Sequence, residues 1–185
     1  ADANFPETTA PFKIRGALNK ILKLKPKEKK KGVLTVSAGN HGQGIGYGAK
    51  LLGIKAIVIV PKNTPKIKIK AIEQYGIDLK ILGKDYDEAE AEARELERKT
   101  GMVYISPYND ADVIAGQGTI GLEILKENPN IDTILVPVGG GGLISGIAIA
   151  VKSINPKIKV IGAQSAASPV MYESLKAGKI TGMKV

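Results

Sequence analysis

Apolar residues recur along this chain in two alternating rhythms. Short β-branched runs, such as Val33–Val36 and Ala56–Val60, read as strands buried on both faces. Between such runs apolar residues return every three or four positions, as in Ile14, Leu18, Ile21 and Leu22, which marks one face of a helix.

Taken in order, the pattern predicts an irregular lead over 1–10, then a helix over 12–24 opened by Pro11 and ended by Pro26. A strand over 33–36, a helix over 41–52 and a strand over 56–60 follow. Next come a helix over 66–75 closed by Gly76, a strand over 79–82 and a helix over 86–99. A strand over 102–105 leads through a loop, Ser106 to Asp110, to a helix over 112–126 that Asn128-Pro129 breaks. The last elements are a strand over 133–137, a helix over 143–154, a strand over 159–163 and a helix over 169–176. Six strands alternating with helices predict an α/β fold: a doubly wound, mostly parallel sheet with right-handed crossovers. The expected organisation is an N-terminal segment 1–32, a small α/β domain 33–115 and part of a larger domain 116–185.

Composition narrows the chemistry. A chain of 185 residues buries roughly 70% of its unfolded surface and needs no staples. The absence of cysteine excludes disulfides, thiolate nucleophiles and cysteine-bound zinc, and fits a reducing, cytoplasmic setting. The first nine residues lack the basic start and apolar stretch of a secretory signal, so none is expected. Thr133 to Val151 carries no charge, but Pro137 and Gly139 to Gly142 split it into a strand and a helix instead of a membrane span. The formal net charge is +9, densest at Lys23, Lys25, Lys27, Lys29, Lys30 and Lys31. No aromatic residues interleave with these lysines to stack bases, so the run reads as a solvated helix end and loop, not a nucleic-acid surface.

Candidate chemistry gathers at glycine-rich turns. Ser37-Ala38-Gly39-Asn40-His41-Gly42-Gln43-Gly44 joins a strand end to a helix start, where open α/β sheets bind ligands. Gly139-Gly140-Gly141-Gly142-Leu143 does the same further on, and its bare N–H groups suit a phosphate. Gly44-Ile45-Gly46-Tyr47-Gly48 and Gly116-Gln117-Gly118-Thr119-Ile120-Gly121 echo dinucleotide fingerprints. The first is followed by a strand ending in Pro61-Lys62 where an acid is needed, and the second lies inside a helix. His41 is the only histidine. It forms either a pair with Ser37, for which no third group is identifiable, or a polar contact at the helix start. A transition-metal site is not expected without further ligands. Lys13, in the apolar setting of Phe12 and Ile14, is either an ordinary surface lysine or, if buried, an amine able to lose its proton and act as a nucleophile.

Four segments taken together resemble the pyridoxal-phosphate enzymes of the tryptophan-synthase-β type, fold type II, and among them the threonine/serine dehydratases. They are Pro11–Ala17, Ser37–Gly44, Ile114–Thr119 and Val138–Leu143. The resemblance runs from about residue 4 to the C-terminus. It implies that Lys13 forms the Schiff base with pyridoxal 5'-phosphate, with Phe12 beside it. Asn40 is implied to bond the cofactor's ring hydroxyl. Ser37, Gly39, Asn40 and His41 are implied to hold the substrate carboxylate, and Gly139, Gly140, Gly141, Gly142 and Leu143 to cup the cofactor phosphate. The implied reaction is β-elimination of L-threonine or L-serine to a 2-oxo acid and ammonia.

Departures from the family pattern qualify this. Members are commonly much longer at both ends, and the portion contacting the pyridine nitrogen has no counterpart here. Ala38 stands where serine racemases carry a serine base, and Gln164 where they carry a metal-binding glutamate. The alternative is a catalytically inactive fragment or redesigned α/β module that keeps an anion or cofactor site. A sheet this incomplete is expected to expose edges and apolar faces and so to self-associate as a homo-oligomer.

Overall fold

The computed structural model describes residues 11–182. The irregular lead expected over 1–10 lies outside them. The order of elements is α1 (Pro11–Lys23), α2 (Pro26–Lys31), β1 (Val33–Val36), α3 (Asn40–Leu52), β2 (Ala56–Val60), α4 (Lys66–Glu73) and β3 (Asp78–Ile81). It continues with α5 (Tyr86–Thr100), β4 (Val103–Tyr104), α6 (Ala111–Glu127), β5 (Thr133–Pro137), α7 (Gly142–Ile154), β6 (Lys159–Ala163) and α8 (Val170–Ala177). The chain divides into two compact units between Gly116 and Gln117.

The first unit is built on a four-stranded sheet in the order β3-β2-β1-β4, with every pair parallel. The pleat sorts side chains onto two faces. Val33, Ala56, Val58 and Val60 point to one core, with Ala17 and Ile21 of α1, Ile45 and Ala49 of α3 and Ile72 of α4. Leu34, Val36, Ile57 and Ile59 point to the other, against Ala89 and Ala93 of α5. Burial on both faces explains why β1 and β2 are continuous apolar runs.

Two close approaches fix α1. A Cβ on Gly44 would lie 3.3 Å from the Cα of Ile14, and one on Gly48 would lie 3.0 Å from the Cδ1 of Ile21. These glycines, one turn apart on α3, form a groove that receives α1. On α6, a Cβ on Gly116 would lie 2.6 Å from the carbonyl oxygen of Arg15 and from the Cα of Gly16. The repeated glycines that echo a nucleotide fingerprint here serve helix packing.

The second unit carries the parallel pair β5–β6. Ile134 and Val136 of β5 pack with Ile147 and Val151 of α7, and Ile120 and Ile124 of α6 pack against that cluster. Gly118 and Gly121 of α6 again sit tight: their Cβ atoms would lie 3.0 Å from the Gly146 carbonyl oxygen and from the Val151 Cγ2. The opposite face of this sheet is open, with Leu135 at 69% and Ile161 at 45% exposure.

One element departs from expectation. The lysine run is not a loop: Pro26–Lys31 forms a short helix, with Glu28 accepting the N–H of Lys25 at 2.7 Å. Pro26 follows the end of α1, as expected, and also occupies the first turn of the next helix, where its missing N–H is harmless. Among the described residues, no helix is long and apolar enough to cross a membrane.

Candidate active site

In the first unit the candidate residues collect beyond the C-terminal ends of β1 and β4. Lys13 lies in the first turn of α1, half-buried, and its Nζ donates to the carbonyl oxygen of Pro107 at 3.0 Å. The ring of Phe12 lies 5.1 Å from the same Nζ, measured to its centroid. Burial holds the Lys13 pKa below the ordinary lysine value, because desolvation penalises the ammonium form.

His41, in the first turn of α3, is 2% exposed. Its Nε2 lies 3.2 Å from the carbonyl oxygen of Ile105. A carbonyl only accepts, so Nε2 carries the hydrogen and Nδ1 is a bare acceptor. The His41 pKa is pushed down to about 4, chiefly by burial and also by the nearby Lys13 charge, against the opposing effects of the Ile105 carbonyl and Asp110. The imidazole is therefore neutral at physiological pH. Its Nδ1 is buried without a hydrogen-bond partner among the described residues. Thr35, fully buried on β1, donates to the same Ile105 oxygen at 2.8 Å.

Ser37 does not pair with His41. Its Oγ accepts the N–H of Gly39 at 3.3 Å, which folds the turn back on itself. Asn40 is exposed at the start of α3. No side chain caps that helix, so the first-turn N–H groups stay available to an anion.

The loop after β4 is itself held in shape. Ser106 Oγ accepts the N–H of Asn109 at 3.0 Å. Asp110 Oδ1 accepts the N–H groups of Asp112 and Val113 at 2.9 and 3.1 Å, capping α6. Asp110 Oδ2 lies 3.0 Å from Lys20 Nζ. Pattern reading did not single out Thr35, Pro107, Asp110 or Lys20. Pro107 acts through its backbone oxygen, Thr35 donates its hydroxyl to the backbone oxygen of Ile105, and the other two form an ion pair whose members lie far apart in sequence.

In the second unit, Gly139 to Gly141 lie between β5 and α7, and Gly142 and Leu143 open α7. Gly141 has φ +85 and stands at the N-terminus of α7, which no side chain caps. That backbone conformation suits glycine alone. A Cβ on Gly139 would meet nothing within 4 Å. The N–H of Val138 bonds Ala163 at 2.8 Å, carrying the strand ladder up to the glycines. Beside them lies a cavity of about 410 Å³, lined by Val138, Gly141, Ile144, Ser145, Gln164 and Met171 among others. Among the described residues, no group of three or more His, Asp or Glu side chains is placed to hold a metal ion.

The family model described as pyridoxal-phosphate dependent enzyme matches residues 2–185. The chain is 47% identical over 173 residues to the L-threonine ammonia-lyase of Thermotoga maritima, covering 94% of this chain and 43% of that protein. It is 47% identical to the catabolic L-threonine dehydratase TdcB of Escherichia coli K12, covering 95% of this chain and 53% of that one. Among solved structures, maize serine racemase superposes with TM-score 0.90 at 41% identity, over 96% of this chain and 54% of that one. Threonine deaminase isoform 2 of Solanum lycopersicum superposes with TM-score 0.89 at 43% identity, over 94% and 50%. The chain thus spans about half the length of the relatives it matches. A match over nearly every residue, on a parallel α/β fold with tryptophan-synthase-β-like neighbours, places this chain in the pyridoxal-phosphate dependent enzyme family.

Proposed function

We propose that this chain supplies the cofactor-holding part of a lyase that eliminates water from L-threonine or L-serine, giving a 2-oxo acid and ammonia. The observation that carries the reading is the Lys13 amine: half-buried, desolvated, and directed at a backbone carbonyl at the edge of a parallel sheet. Each unit, taken by itself, fits one part of pyridoxal phosphate. The first offers a nucleophilic amine, an aromatic neighbour in Phe12 and a buried, unpartnered His41 Nδ1. The second offers an uncapped helix start lined by glycines, suited to a dianionic phosphate.

In this reading Lys13 bonds the cofactor, Phe12 flanks it and Asn40 reaches its ring hydroxyl. Gly139, Gly140, Gly141, Gly142 and Leu143 take its phosphate. Bound cofactor would supply an electron sink for the carbanion at the substrate's Cα. The protein's own groups do the rest. Backbone N–H groups around Ser37, Gly39, Asn40 and His41 hold the substrate carboxylate, aided by the α3 dipole. His41 takes part as a neutral strut, because its imidazole carries no charge at working pH. Lys13 Nζ would take up the α-proton, and desolvation, which lowers its pKa from the ordinary lysine value, favours the neutral amine that this needs. A cytoplasmic, self-associating protein completes the reading, and the open face at Leu135 and Ile161 supports the association.

The test is to incubate the chain with pyridoxal phosphate, reduce with borohydride and map the adduct by peptide mass. The reading expects the adduct on Lys13, its loss in Lys13→Ala, and release of 2-oxobutanoate from threonine by the unreduced protein. An adduct without product favours the inactive module. No adduct on Lys13 overturns the proposal.

A further inference from the structure

The glycine contacts that hold α1 set its distance from α3 and α6, but smooth grooves of this kind do not fix its position along its own axis. Directed polar bonds do that. Lys13 and Lys20 are seven residues apart, two helical turns, and so share a face of α1. Their amines reach the same loop: Lys13 bonds the oxygen of Pro107 at 3.0 Å, and Lys20 bonds Asp110 Oδ2 at 3.0 Å.

The Asp110 carboxylate does not drift to follow its partner, because its other oxygen caps two N–H groups of α6. Its side chain is 13% exposed and that of Lys20 is 20% exposed, so the pair is shielded more than an ordinary surface bridge. Burial alone opposes the charge on Lys20, yet Asp110 and Asp112 outweigh it and hold its pKa above the usual lysine value. Lys23, by contrast, bonds only Asp112, and its side chain is 56% exposed.

Resting on the cofactor reading above, we propose that the Lys20–Asp110 pair is a positioning element that registers α1 against the Ser106–Asp110 loop and so holds the Lys13 amine where it attacks the cofactor. The experiment compares attachment of pyridoxal phosphate to Lys13, trapped by borohydride and quantified by peptide mass, with thermal melting of the same proteins. Asp110→Asn removes the charge-assisted bond to Lys20, and Lys20→Met removes that bond together with the one Lys20 makes to Asp112 at 3.1 Å; each is expected to weaken attachment about tenfold. Lys20→Arg, which keeps the charge, is expected to recover most of that loss. Lys23→Met removes a neighbouring cation and is expected to leave attachment within about twofold of the parent.

Attachment by Lys20→Met equal to the parent's overturns the inference and leaves the cofactor reading standing. So does a loss in Lys20→Met and Lys23→Met that simply tracks their melting temperatures, since that is a structural effect. Failure of the parent chain to attach the cofactor at Lys13 overturns both.

Discussion

Lys13 meets Pro107, 94 residues away in sequence, through a single bond of 3.0 Å from its side-chain amine to the proline's main-chain oxygen. Two residues earlier, the oxygen of Ile105 takes bonds from His41 and Thr35. The short stretch after β4 is thus an acceptor rail that aligns groups from α1, β1 and α3. Four predictions follow from this rail and its supports.

His41 should make stability fall in mildly acid solution. Its folded pKa, about 4, lies below the ordinary 6.5, so the unfolded chain binds the proton more readily. Stability is complete above pH 6.5 and is lost as pH falls toward 4, by an amount on the order of 3 kcal/mol. It is the only histidine, so chemical denaturation of His41→Asn across this window should lose most of the slope.

Gly116 and Gly139 should answer oppositely to alanine. At Gly116 the new methyl would meet backbone 2.6 Å away on α1, so Gly116→Ala is expected to cost about 1–3 kcal/mol by thermal melting. At Gly139 it meets nothing within 4 Å, so Gly139→Ala should stay within about 0.5 kcal/mol of the parent. Weaker cofactor retention in Gly139→Ala, without loss of stability, would tie that loop to phosphate binding.

Lys13 should react as an amine at lower pH than other lysines. Desolvation lowers its pKa from the ordinary 10.5, so competitive labelling of Lys13 should reach half its maximum below pH 10.5. Labelling of an exposed lysine such as Lys66 supplies the comparison. Coincident titrations would show that the Lys13 amine is solvated.

Arg94 should support the β4 edge of the sheet. Its guanidinium lies 3.7 Å from the centroid of the Tyr104 ring and bonds Glu97 at 3.1 Å, while Glu97 also accepts the N–H of Tyr104 at 3.2 Å. Arg94→Ala is expected to cost about 1–2 kcal/mol, read by urea denaturation.

Much of the architecture was legible because its strands are short runs rich in β-branched and aliphatic residues, bounded by glycine, proline and charged residues. The expected bounds of β1, β2, β5 and β6 match those observed residue for residue. The strand expected over 102–105 shrinks to Val103–Tyr104, although the N–H of Ile105 still bonds Leu34 at 2.8 Å. Pro26 was read only as a helix end; the same fixed φ also lets proline open a helix, as it does in α2. The glycines at 44, 48 and 116 resembled ligand loops because packing and anion binding both ask for a missing Cβ. The turn at Ser37–His41 was found through its glycines and polar residues. Its tie to Ile105 was not, because a carbonyl oxygen looks the same in every residue type.

That last point bears on how the protein can change over generations. An acceptor supplied by the main chain has no codon of its own. Replacements at Ile105 or Pro107 alter volume and loop rigidity, yet they leave in place the oxygens that His41 and Lys13 address. Within what the buried setting of Ile105 allows, changes at these two positions can reshape the walls around the amine while its anchor persists.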